Sequence, residues 1–179
     1  EALLRYNSPK RGRVFPDEFI PILEQSGLIN SVGMWVLEQA LVQCKEWRKS
    51  FPDLNVSVNF STIQFEDKHI SEKIIDVLKR TDMPGDALTI EVTESIKLHY
   101  DENFYSLMKY LKAYGVKFAI DDFGTGYSNL GYLNKIDANE IKIDRSFVSE
   151  IEKDSYNYKL IGNFIDFAKV NSIQVCCEG

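Results

Sequence analysis

The chain has 179 residues, 44% of them hydrophobic and 27% charged, enough for one sizeable core and ordinary for a globular domain. Its formal net charge of -6 and sequence pI near 5.0 argue against a broad basic track for a nucleic-acid polymer, so an anionic substrate would need bound cations. No apolar run approaches the roughly twenty residues of a membrane span, and EALLRYNSPK lacks the layout of a signal peptide. A cytoplasmic location is expected, including the cytoplasmic part of a membrane-anchored protein.

Taken in chain order, EALLRY (1–6) opens the chain as a strand candidate, and Leu37, Ala40, Leu41 and Cys44 follow at helical spacing. LNVSVNF (54–60) and ALTIEVT (87–93) read as short, largely buried strands. Phe104, Leu107, Met108 and Leu111 mark another helix, VKFAID (116–121) and EIKID (140–144) two further strands, and SIQVCCE (172–178) the last. The aromatic residues Trp35, Trp47, Phe164 and Phe167 stand at helix-like positions and are expected in the core. Lys45, Lys49 and Lys79 read as a solvated helix face.

Alternating strands and helices imply a parallel sheet with helical crossovers, either doubly wound or closed as a barrel. The barrel is favoured because each strand candidate ends in a residue able to bind metal or phosphate: Asn59, Glu91, Asp121 with Asp122, Lys142 and Glu178. Their separations are 32, 30, 21 and 36 residues, roughly one β/α unit each. In a (β/α)8 barrel such strand ends converge on one mouth, whereas in an open sheet they are strung along an edge. The fold class expected is therefore α/β, a TIM-like (β/α) barrel, with residues 1–179 forming one domain.

The stretch KFAIDDFGTGYSNL (117–130) runs apolar residues into two adjacent aspartates. Two close carboxylates repel and raise each other's pKa unless a cation sits nearby. Glu, Asn and Asp are hard oxygen donors suited to Mg²⁺ or Mn²⁺. Two such ions can clamp an in-line phosphoryl displacement, which points to phosphodiester hydrolysis. Asp122 alone could equally cap a turn, FGTGYS could be a plain loop, and Glu94 could cap the turn after its strand. Lys142, set among apolar residues in EIKID, needs a negative site to receive it. Cys44, Cys176 and Cys177 form no C-x-x-C pair and are expected to pack, and His69 and His99 stand at spacings unsuited to zinc.

With those residues in view, EALLRY, VNFS, EVTES, DDFGTGYSNL, IKIDRSFV and CCEG resemble, in order, the motifs of the EAL-domain cyclic-di-GMP phosphodiesterases. GRVFPDEFIPILEQSGLI resembles the loop and first helix that follow the first of those motifs. The resemblance implies hydrolysis of cyclic-di-GMP to linear pGpG with two ions, Mg²⁺ or Mn²⁺. It also implies that Glu1, Asn59, Glu91 and Asp121 hold one metal, and Asp121 with Asp122 the second. Lys142 would contact the attacking water or the scissile phosphate, and Glu178 would act as general base or outer metal partner. Arg5, with Leu3 and Asp144, would meet the substrate, and Glu94 would anchor the loop beginning at DDFGTG. Relative to the family, Tyr6 replaces the usual Trp.

Two other classes stay open on the sequence: a catalytically silent cyclic-di-GMP receptor, and a barrel enzyme of enolase type, which also sets acidic ligands and a lysine at strand ends. Against the family pattern the first and last strands are missing, so the domain is expected to be truncated at both ends. The remaining strands would form a ring interrupted between EALLRY and QVCCEG. Open edges of that kind favour pairing with another chain, such as a homodimer. Sensory or GGDEF modules are expected in the full-length protein.

Overall fold

The computed structural model describes residues 1–93, 102–125, 137–149, 151–153 and 155–178. Its centre is a parallel sheet of five strands: β3 (Val56–Asn59), β4 (Leu88–Thr93), β5 (Lys117–Phe123), β6 (Glu140–Ile143) and β7 (Gln174–Cys177), paired in sequence order. Helices α2 (Ile29–Arg48), α3 (Ile70–Thr81), α4 (Glu102–Ala113), α5 (Arg145–Val148) and α6 (Tyr156–Val170) lie before and between them, preceded by α1 (Pro16–Gln25). The strand order and the helical crossovers are those of a partial (β/α) barrel.

Alternation along the strands separates two faces. Val56, Val58, Leu88, Ile90, Val92, Phe118, Ile120, Ile141 and Ile143 belong to one hydrophobic cluster with Leu37, Leu41, Ile74, Leu78, Leu111 and Phe164 of the helices. Residues between these in the strands, among them Asn59, Glu91, Asp121 and Lys142, face the other way. β4 is buried almost throughout, as expected of a central parallel strand covered on both sides.

The five sheet strands match the sequence expectations to within a few residues. EALLRY does not. Ala2 makes a single parallel bridge to Val58, with Ala2 N–H donating to Ser57 O at 2.8 Å. The chain then turns into a hairpin absent from the sequence reading, β1 (Tyr6–Ser8) against β2 (Gly12–Val14). Its turn is closed by Ser8 Oγ, which accepts from Lys10 and Arg11 N–H, and by Gly12 at φ +72°.

Trp35 and Trp47 correct the expectation that they are core, being 56% and 51% exposed. The buried stripe of α2 is Leu37, Ala40, Leu41 and Cys44. At 100° per residue Trp35 falls opposite that stripe and Trp47 on its flank. Phe164 is buried, in an edge-on ring pair with Phe123 at 4.9 Å, and Phe167 is partly buried. Of the cysteines only Cys44 is buried, while Cys176 is half-buried and Cys177 exposed. Lys45 is not simply solvated, for its Nζ donates to Thr81 O (3.1 Å) and Asp82 Oδ2 (3.0 Å), tying α2 to the end of α3. His69 is exposed just before α3, and His99 lies outside the described residues. Among the described residues no helix is long and apolar enough to cross a membrane.

Candidate functional site

Parallel pairing sets Asn59 level with Glu91, Glu91 with Ala119, and Lys142 with Cys176. Asp121 lies two residues beyond Ala119 and Glu178 two beyond Cys176, so a period of two turns both to the face that carries Glu91 and Lys142. Side chains from widely separated stretches of chain thus meet at the C-terminal ends of the strands.

They meet around Lys142 Nζ. Glu178 Oε1 is 2.7 Å away, Glu91 Oε2 3.2 Å, Asp121 Oδ1 3.4 Å and Glu1 Oε2 3.9 Å. Asn59 Nδ2 donates to Glu1 Oε1 at 2.7 Å, which adds the amide to the cluster. The positive group that the paired aspartates called for is, among the described side chains, this ammonium.

Burial governs the titration of the acids, and one ammonium among four carboxylates does not offset it. Glu91 is 2% exposed, and burial, reinforced by Glu1 and Asp121 and opposed by Lys142, pushes its carboxyl up to about 7. Burial also raises Asp121 against the pull of Lys142. Asp122 is raised by burial and then by Asp121, Asp144 and Glu178. Burial draws the Lys142 ammonium down, but its hydrogen bond to Glu178 and its attraction to Glu91, Asp121 and Glu1 win and hold it well above the usual lysine range.

Asp122 stands apart from the cluster. β5 breaks register with β6 between Ile120 and Phe123, and Asp122 takes φ +53°, with its N–H donating to Asp121 Oδ1 at 3.0 Å. A bulge breaks the alternation that would send two strand neighbours to opposite faces, and Asp122, though not paired with Lys142, stays near enough to Asp121 and Glu178 for both to raise its pKa. Gly124 follows at φ +102°, where a Cβ would run into the Phe147 ring.

Asp144 lies near enough to Asp122 to raise its pKa, yet its own carboxylate caps α5 by accepting the Ser146 hydroxyl and then Ser146 N–H at 3.0 Å, and these bonds hold it below the usual carboxylate range. Leu3 and Arg5 are exposed and line a cavity of about 480 Å³ beside Asn59, with Glu24, Ser61 and Gln64 in its wall. Glu94 lies outside the described residues.

Glu1, Asn59, Glu91 and Asp121 are the oxygen donors that could hold a hard divalent cation. Among the described residues no three acidic or His/Cys side chains form a ready-made ligand group; they are arranged around Lys142 instead. The chemistry of the set still fits such an ion. Hard oxygens in excess over one ammonium, with a buried carboxyl pushed to about 7, are what added positive charge would relieve.

Sequence reasoning passed over Glu24 and Ser61. Ser61 Oγ donates to Glu24 Oε1 at 2.6 Å, and Ser61 and Gln64 form a capping box two residues after Asn59. The pattern S-x-x-Q after a strand was the available signal for the box; the reach to Glu24 had none.

The family model described as EAL domain matches residues 1–179. The chain is 36% identical over 180 residues to the bifunctional diguanylate cyclase/cyclic di-GMP phosphodiesterase MucR of Pseudomonas aeruginosa, covering 100% of this chain and 26% of that protein. It is 35% identical over 179 residues to the cyclic di-GMP phosphodiesterase PdeR of Escherichia coli, covering 100% of this chain and 27% of that protein. A solved structure described as PaMucR phosphodiesterase in complex with c-di-GMP superposes with a TM-score of 0.90 at 35% identity, over 99% of this chain and 72% of that one. The chain thus spans about a quarter of the length of these curated relatives.

Proposed function

The chain belongs to the EAL domain family, and from that membership and the geometry above we propose that it is the catalytic domain of a phosphodiesterase that hydrolyses cyclic-di-GMP to linear pGpG. The observation that carries the proposal is the convergence of Glu1, Glu91, Asp121 and Glu178 within 4 Å of Lys142 Nζ at the strand ends. An anionic diester could not approach that array without added positive charge.

In our reading Glu1, Asn59, Glu91 and Asp121 hold one divalent cation, and Asp121 with Asp122 a second, Mg²⁺ or Mn²⁺ by donor type. Such ions, when bound, supply Lewis acidity to the phosphodiester and acidify a water. Lys142 then directs its ammonium at the non-bridging phosphate oxygens, held in place by Glu178 and Glu91. Glu178, the more exposed of those two carboxylates, takes the proton of the attacking water as the new P–O bond forms. One ester P–O bond breaks, its oxygen is protonated from solvent, and the ring opens to the linear dinucleotide. Leu3 and Arg5 line the adjoining cavity and would seat the substrate there, with Asp144 behind Asp122 and Glu94 anchoring the loop. In a longer signalling protein, with sensory or GGDEF modules and pairing as a homodimer, this domain would be the output.

The test is incubation with cyclic-di-GMP and Mg²⁺ or Mn²⁺, with and without chelator. Metal-dependent appearance of pGpG is expected. Nucleotide binding without product would identify a receptor and overturn the catalytic reading.

A further inference from the structure

Asn59 is the last residue of β3, and its placement depends on the corner that follows. Phe60 N–H continues the ladder by donating to Glu91 O at 2.9 Å. The chain then turns at Ser61 into a short 3-10 turn, Thr62–Glu66. Within the corner Ser61 N–H donates to Gln64 Oε1 (3.0 Å), Gln64 N–H donates to Ser61 O (3.0 Å), and Ile63 N–H reaches Ser61 Oγ (3.4 Å). These bonds make the turn rigid but tie it only to itself.

Phe65 packs edge-on against Phe104 of α4 with ring centroids 5.2 Å apart, and two further contacts tie the turn to α1 and α2. Gln64, 1% exposed, packs its amide onto α2 at Gly33, where any Cβ would collide with Nε2. The other is the 2.6 Å bond from the Ser61 hydroxyl to Glu24 Oε1, which crosses 37 residues to reach α1. Glu24 stands in the cavity wall with Asn59 and Ser61, outside the group of carboxylates around Lys142.

The geometry points to Glu24 as a positioning residue for the metal-binding end of β3: by accepting the Ser61 hydroxyl it fixes the corner from which Asn59 holds Glu1. A hydrogen bond this short to a charged acceptor is of the stronger kind. Partners one step removed from a metal ligand commonly set its affinity by orienting it. The inference rests on the reading that Glu1, Asn59, Glu91 and Asp121 bind a divalent cation.

The experiment is calorimetric titration with Mn²⁺ of the wild-type protein, Glu24→Ala, Ser61→Ala, the double variant and Glu24→Gln, with thermal unfolding and steady-state kinetics alongside. Glu24→Ala is expected to weaken Mn²⁺ binding about tenfold. Added to Ser61→Ala, it should have no further effect, because the same bond is already gone. Glu24→Gln, which keeps the accepting oxygen, should stay within about twofold of wild type. Mn²⁺ affinity unchanged in Glu24→Ala, with only the melting temperature lowered, would overturn the inference and leave a structural contact. A raised KM for the nucleotide with unchanged Mn²⁺ affinity would overturn it too, by showing that Glu24 touches substrate. Failure of the wild type itself to bind Mn²⁺ would overturn the functional reading and this inference with it.

Discussion

On the helix-facing side of the sheet Val58, Ile90, Phe118, Ile120 and Ile141 are all at most 2% exposed and pack into one apolar cluster. On the other side, at the strand ends, the same strands present Asn59, Glu91, Asp121 and Lys142. Ala119 shows the boundary, being fully buried yet outside the apolar cluster. Burial stabilises the first side through area removed from water. It destabilises the second, where it withholds solvent from carboxylates that repel one another and that Lys142 offsets only in part. One sheet therefore carries its stability on one face and its strained electrostatics on the other, and substitutions should separate the two.

The largest separation is expected from a pair of variants. Phe118→Ala removes a fully buried ring from the helix-facing side and should cost about 3 to 5 kcal/mol of stability in denaturant unfolding. Its turnover per folded molecule should stay near wild type. Asp121→Asn should do the reverse, lowering hydrolysis of cyclic-di-GMP at saturating Mg²⁺ by on the order of 10² to 10³ while leaving the melting temperature in chelator nearly unchanged. Comparable losses of both properties in either variant would break the comparison.

A smaller effect is expected from pH. The Glu91 carboxyl is raised in the folded chain to about 7 from an ordinary 4.5, so the folded state keeps a proton that the unfolded state has released. In chelator, stability should therefore fall as pH rises from about 4.5 to 7, by on the order of 2 kcal/mol from this group. Asp121 and Asp122 are raised too and add in the same direction. Thermal melts across that range should show the fall, and added Mn²⁺ should flatten it. The smallest effect is Lys49→Ala, which removes an exposed ion pair with Glu46 and should change stability by under about 0.5 kcal/mol.

The strands and the placement of the site were legible because two periods coincide. β-branched and aromatic runs marked the strands, and a polar residue near the end of each marked the face and level at which it would emerge. That is why Asn59, Glu91, Asp121, Lys142 and Glu178 could be picked out as one group. Features set by tertiary geometry were not legible. Trp35 and Trp47 have the right residue type for a core but the wrong angle on α2 relative to Leu37 and Cys44. The EALLRY segment looks like a strand, yet only Ala2 pairs with β3 before the Ser8 turn diverts the chain into a hairpin. The bulge at Asp121 and Asp122 and the bond from Ser61 to Glu24 depend on how elements distant in sequence meet.

Glu91 joins the two halves of the account, since it is the most buried charge on the polar side and a proposed metal ligand. The most direct measurement is Mn²⁺ titration calorimetry on the wild-type protein and Glu91→Gln, with unfolding in chelator at pH 7.5 run in parallel. The expected result is a loss of at least tenfold in Mn²⁺ affinity together with equal or greater stability in chelator, because the variant removes a buried charge while keeping the side chain's shape. Unchanged Mn²⁺ affinity in Glu91→Gln would contradict the claim that this end of the sheet is built to bind a divalent cation.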